Sequence, residues 1–278
     1  MPDPNPLLDE LVQSVRSSAR YQAISPDLVR QVGERELSKG RKLKEAVKTT
    51  RSKLHQVAVA YQETAIPYEK YNQVLKGLST DFTDPQLRDF CRKAMAQHAS
   101  TAERLPILDT FFEDILAPLA PVHSILDLAC GLTPLARPWM PLEDGARYDA
   151  CDIYSDMVGF INSFFDHIAR PGRAEVCDLT RACPARPADV ALLLKSVPCL
   201  EQLDKQIIPR LLVQIPARHI VVSFPARSLG GRQKGMAQFY SSHFISLLEN
   251  LPFELKRVNF ENEIVFILTK KKLTGHLS

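Results

Sequence analysis

One run dominates what this chain can fold into: SILDLACG, Ser124 to Gly131, an apolar, β-branched stretch ending in an acidic residue, a small residue and a glycine. It predicts the first strand of a nucleotide-type α/β sheet running into its ligand loop. Further strand-like runs follow at the spacing of successive βα units, at Arg147 to Ile153, Arg173 to Cys177, Asp189 to Lys195 and His219 to Phe224. Asp152, Asp178 and Lys195 fall at the ends of three of them, where an open sheet of this kind meets its ligand. Strands alternating with helical or loop material predict a parallel, doubly wound sheet.

The last two runs break the pattern. Phe253 to Asn259 and Glu263 to Lys270 are separated only by Phe260 to Asn262, which suits an antiparallel terminal hairpin. An α/β sheet closed in this way resembles the layout of class I, Rossmann-like methyltransferases. Upstream, from Pro6 to about Leu119, the period is helical, as in Leu8, Leu11, Val12 and Val15, then Leu43, Val47, Leu54 and Val57. Ser25-Pro26, Gly40, Ile66-Pro67, Gly77 and Asp84-Pro85 divide this region into short helices, with Ser25 and Asp84 as expected N-caps. The expected organisation is an all-helical N-terminal domain over residues 1–97 and an α/β domain over 98–278.

The net charge of +3 conceals an asymmetry, because residues 1–97 hold 16 Lys and Arg against 12 Asp and Glu, and the remainder 19 against 20. The bias concentrates between Arg30 and Lys53, a pattern that fits either a polyanion-docking surface or a solvated helix face. Six cysteines show neither CxxC pairs nor zinc-ligand spacing, so they are expected to be reduced core residues, with no metal site. The opening MPDPNPLLDELVQ has no basic segment followed by an apolar block, and no run approaches a membrane span of about 18 apolar residues. A cytoplasmic location with no membrane partner is expected.

The residues at the strand ends suggest which ligand. The DLACG loop begins at Asp127, lacks a full GxGxxG and has no GK[ST], so neither a dinucleotide nor a nucleoside-triphosphate cradle is supported. Asp152 is placed to accept from ribose hydroxyls, and Asp178, with Leu179 beside it, to accept from an adenine amine. Each aspartate taken singly also fits a helix N-cap. Their conjunction points to S-adenosylmethionine, with Gly131 allowing close backbone approach. In HASTAERL, His98 to Leu105, STAE reads as a capping box built on Ser100 or Thr101 with Glu103. Arg104 would then project from the first turn, able to clamp the methionyl carboxylate. His98 fits a structural histidine or a base.

Together HASTAERL, DLACGLTPLA, LLLKSVPCLE and VSFPARSLGGRQKGM resemble the aminoglycoside-resistance 16S ribosomal RNA methyltransferases, the branch that methylates N7 of a decoding-site guanine. The resemblance spans about Tyr21 to Lys271. It implies an S-adenosylmethionine site formed by Tyr61, His98, Ala99, Ser100, Arg104, Ala129, Asp152, Asp178, Leu179, Leu194 and Gln202. It implies that Lys195 and Glu201 hold the target guanine, while Arg227, Arg232 and Lys234 grip RNA, Arg232 close to the chemistry. Arg16, Arg20, Arg30, Arg41, Lys42 and Arg51 would form the docking surface for the 30S ribosomal subunit, the chain acting as a monomer. The implied outcome is resistance to gentamicin- and kanamycin-type aminoglycosides. Rival readings are a methyltransferase on a small molecule or on the neighbouring decoding-site adenine, and a ribosome-binding protein of the same fold without catalysis.

Overall fold

The computed structural model describes residues 5–62, 65–226 and 236–271. Seven strands form one sheet in the order β3-β2-β1-β4-β5-β7-β6. They are β1 (Ser124–Leu128), β2 (Arg147–Asp152), β3 (Gly172–Val176), β4 (Ala188–Leu194), β5 (Ala217–Pro225), β6 (Phe253–Asn259) and β7 (Glu263–Lys270). The first five run parallel, and β7 enters antiparallel beside β5, pairing Ser223 with Val265 and Pro225 with Glu263. Every expected strand is present within one or two residues at either end.

Side-chain alternation along these strands explains why both faces are covered. Ile125, Val190, Leu192, Val221, Val265 and Ile267 point into one core, while Leu126, Ala191, Leu193, Val222, Phe266 and Leu268 point into the other. On the first face lie α4 (Tyr68–Leu75), α5 (Pro85–Met95), α7 (Leu108–Leu116) and α8 (Ser155–Ile168). The second carries α9 (Val197–Leu203), α10 (Ile207–Gln214) and α11 (Met236–Leu248). Between β3 and β4 the chain crosses without a helix.

The N-terminal bundle is α1 (Pro6–Arg16), α2 (Pro26–Leu37) and α3 (Leu43–Val57). Leu8, Leu11, Val12 and Val15 form the buried stripe of α1, as their spacing predicts. Gly33 lets α2 close on α1, since a Cβ there would lie 2.3 Å from Leu11 Cδ2. Asp84 caps α5, accepting from the backbone N–H groups of Gln86 at 2.8 Å and Leu87 at 2.9 Å. Ser25 stands at the N-cap of α2 but makes no side-chain capping bond there. Because α4 and α5 pack on the sheet face, one continuous core crosses the position between residues 97 and 98. Among the described residues no helix is long and apolar enough to cross a membrane.

Candidate active site

At the carboxyl ends of β1 to β4 the structure opens a cleft. Strand ends supply Ala129, Asp152, Asp178, Leu179, Leu194 and Lys195, and the short helix α6 (Ala99–Ala102) with its N-cap supplies His98 and Ser100. The N-terminal bundle and the turn after it add Leu28, Val57, Ala58 and Tyr61, so the helical region forms a wall of the cleft rather than a remote arm.

The two aspartates are held differently. Asp152 accepts the Gly131 N–H at 2.9 Å through Oδ2 and its neighbour Ile153 N–H at 2.7 Å through Oδ1. Burial raises its pKa, and these backbone donors oppose the rise. Gly131 adopts φ +53°, and a Cβ there would sit 2.9 Å from the His98 ring, so the loop closes only on a glycine. Asp178 receives Thr180 N–H at 2.9 Å and Thr180 Oγ–H at 2.7 Å on Oδ1. Its buried Oδ2 has no hydrogen-bond partner, which is the acceptor that an adenine amine needs. A free carboxylate oxygen, a pinned second carboxylate and a tight glycine loop fit S-adenosylmethionine.

His98 is a buried, neutral imidazole. Burial, then the Arg104 charge, lowers its pKa to about 4. Its Nδ1 pairs with Ser100 Oγ at 2.9 Å, and its ring stacks on Tyr61 with centroids 6.0 Å apart. The Tyr61 hydroxyl accepts from the Cys199 thiol at 3.0 Å. Burial pushes the Tyr61 pKa well up, so the phenol stays protonated.

Other expected site residues have partners or places of their own. Arg104 does not line the cleft: its guanidinium is buried and bidentate on Glu263, at 2.7 and 3.1 Å. No capping box forms, because His98 takes the N-cap position and Glu103 turns to Lys195 at 2.8 Å. Glu201 also lies off the cleft, pairing with His243 Nε2 at 2.7 Å and tying α9 to α11. Ala99, Gly131 and Gln202 are not among the lining residues, and Gln202 is exposed. Lys195 reaches the cleft edge with φ +57°, and Glu263 lies 3.3 Å from its Nζ. Glu263 is the hub that no local motif exposed: it also accepts from Ser223 Oγ at 2.6 Å, and opposing cations hold its pKa down despite complete burial. Asp127 sits inside β1 rather than at a turn, accepting the Tyr148 hydroxyl at 2.8 Å, with burial raising its pKa. Cys177 and Cys199 line the cleft, and they and Cys183 are only partly buried, unlike Cys91, Cys130 and Cys151.

The basic surface is also redistributed. Arg16 donates to the Gln22 carbonyl, Arg30 pairs with Asp9, and Arg51 donates to the Ser14 carbonyl. Arg41 pairs with Glu36 at 2.7 Å, leaving Arg20 and Lys42 as exposed members of the expected set. Arg227, Arg232 and Lys234 lie outside the described residues.

The ribosomal RNA methyltransferase family FmrO matches residues 16–267. A 16S rRNA (guanine(1405)-N(7))-methyltransferase of Micromonospora echinospora is 35% identical over 271 residues, covering 96% of this chain and 98% of that protein. One of Frankia casuarinae with the same name is 36% identical over 95% of this chain and 94% of its own. In structure, the 16S rRNA methyltransferase RmtF in complex with S-adenosyl-L-homocysteine superposes with a TM-score of 0.82 at 30% identity, covering 96% of this chain and all of that one.

Proposed function

The chain belongs to the FmrO family of ribosomal RNA methyltransferases, and from that premise we propose that it is a 16S rRNA (guanine(1405)-N(7))-methyltransferase using S-adenosylmethionine. The observation that carries the cofactor half is the unpartnered Asp178 Oδ2 in the strand-end cleft. Asp152 takes the ribose hydroxyls, Asp178 the adenine amine, and Leu179 and Leu194 cover apolar surface. When bound, S-adenosylmethionine supplies an electrophilic methyl group on a sulfonium.

The chain's own task is then to present a guanine. N7 carries a lone pair and no proton, so attack requires no base, in keeping with a neutral His98 and a protonated Tyr61. Orientation alone is worth up to about 7–11 kcal/mol in favourable cases. Guanine offers O6 beside N7 as a second acceptor, and the Lys195 ammonium, already paired with Glu103 and Glu263, places positive charge on the cleft wall that favours that side. The Glu103 and Glu263 carboxylates keep that ammonium in place.

The substrate is the assembled 30S subunit in the cytoplasm, bound by a monomer whose N-terminal bundle meets rRNA phosphates, and the outcome is resistance to gentamicin- and kanamycin-type aminoglycosides. The surplus of cations in residues 1–97 supports this reading over a small-molecule acceptor. Purified protein, 30S subunits and S-adenosylmethionine, followed by borohydride and aniline cleavage and reverse-transcription mapping, is the test. A stop at the decoding-site guanine is expected; methylation of the neighbouring adenine, or none, overturns the assignment.

A further inference from the structure

Helix α2 touches the loop after each of three strands that build the cleft. After β2, Ser25 N–H donates to Ile153 O at 2.8 Å and Ser155 N–H to Ala23 O at 2.9 Å, forming a small antiparallel bridge just beyond Asp152. After β4, Arg35 Nη1 donates to Leu203 O at 2.6 Å, at the end of α9. After β3, Gln31 Oε1 lies 2.8 Å from Thr180 Oγ, and Thr180 Oγ lies 2.7 Å from Asp178 Oδ1.

That last chain has a direction. A hydroxyl carries one hydrogen, and an ionised Asp178 only accepts, so Thr180 donates to Asp178 and its oxygen is left to accept. As placed, Gln31 turns its Oε1 to Thr180, and one hydroxyl hydrogen cannot serve both that oxygen and Asp178; a half-turn of the amide, which exchanges its two ends at no cost in shape, brings Nε2 to Thr180 and completes the chain. The result is a relay, Gln31 N–H to Thr180 O–H to Asp178 Oδ1, which leaves the buried Oδ2 of this cleft-lining residue as its unpartnered acceptor. Successive hydrogen bonds polarise one another, so the relay also fixes which oxygen faces a ligand.

We propose that Gln31 is a positioning residue of the donor site: acting through Thr180, it orients the Asp178 carboxylate toward the adenine amine and makes α2 part of the cofactor-binding machinery. The proposal rests on the reading of the cleft as an S-adenosylmethionine site. It has a consequence for docking, because the next residues of α2 carry Glu36, around which Lys39 and Arg41 of the following turn and Lys53 of α3 are gathered. Binding events that share one helix are linked, and linkage is reciprocal.

The test is calorimetric affinity of the full chain for S-adenosylhomocysteine and for S-inosylhomocysteine, whose base carries a carbonyl in place of the amine. Gln31→Met keeps the volume and removes the donor, and it is expected to weaken S-adenosylhomocysteine about three- to tenfold while leaving the inosine analogue's affinity unchanged. Thr180→Val is expected to weaken it further, and the double variant to bind no worse than Thr180→Val alone. Thermal melts establish that each variant is folded, and Gln31→Glu, a pure acceptor of the same shape, supplies a second donor deletion that should match Gln31→Met or exceed it. Equal losses for both ligands, no loss, or additive losses in the double variant overturn the proposal while the donor site stands. If the wild type binds no S-adenosylhomocysteine, the donor reading falls and takes the proposal with it.

Discussion

Two fully buried carboxylates, Glu263 in the α/β region and Glu36 in the N-terminal bundle, each gather cations, and they do so to opposite ends. Around Glu263 the partners are as buried as the acid: the Arg104 and Lys195 side chains are each 3% exposed. Around Glu36 the cations reach outward, with Lys39 52%, Arg41 29% and Lys53 37% exposed. Burial raises either acid's pKa and the neighbouring ammonium and guanidinium groups outweigh it, so both stay ionised. The inner cluster fixes the shape of a site. The outer one gathers positive charge on a surface, leaving its cations free to meet phosphate as well.

Removing the acid should expose this difference most strongly. Glu263→Ala leaves the buried Arg104 guanidinium without its carboxylate and Lys195 with Glu103 alone, and is expected to destabilise the fold by about 3–5 kcal/mol in urea unfolding. Glu36→Ala lets its cations return to water, so a loss of only about 1 kcal/mol is expected. Equal losses would erase the distinction drawn between the two clusters.

The regions should also separate by pH. His98, beside the inner cluster, has its folded pKa lowered to about 4 against an ordinary value of 6.5. As pH falls below about 6.5 the unfolded chain takes up a proton that the folded one refuses, so stability declines at up to about 1.4 kcal/mol per pH unit until about pH 4. Asp127 and Asp152, raised by burial, act in the opposite sense. The informative quantity is therefore wild type minus His98→Gln, expected to fall across that window.

For the outer cluster the sensitive axis is salt. Lys39→Ala is expected to reduce the slope of log affinity for 30S subunits against log salt by about 1, as for one lost phosphate contact, whereas Lys195→Ala leaves the slope unchanged. The smallest effect is on folding itself: Lys42→Ala, on an exposed side chain, should change stability by less than about 0.5 kcal/mol while weakening 30S binding.

The strands were legible because burial on both faces produces continuous apolar runs, and the hairpin because its polar connection is short. Asp152, Asp178 and Lys195 were legible as strand ends, and Leu194 through the family resemblance. The Arg104–Glu263 pair was not legible because local pattern shows a helical turn but not a partner 159 residues away. Cys177 lines the cleft without any motif of its own, Ser196 and Cys199 sit in LLLKSVPCLE with no local sign that they face a ligand, and Leu28 and Val57 are indistinguishable in sequence from other core positions.

By itself the sequence determined the sheet, its closing hairpin, the ladder of strand ends and the family, all of which depend on local periodicity or contiguous motifs. Only the tertiary structure decided which charges face inward and which outward. It also decided that Gln31 meets Thr180 beside Asp178 and that the helical bundle walls the cleft. Those pairings join residues far apart in the chain, and their direction depends on which side chains the packed core leaves exposed to water.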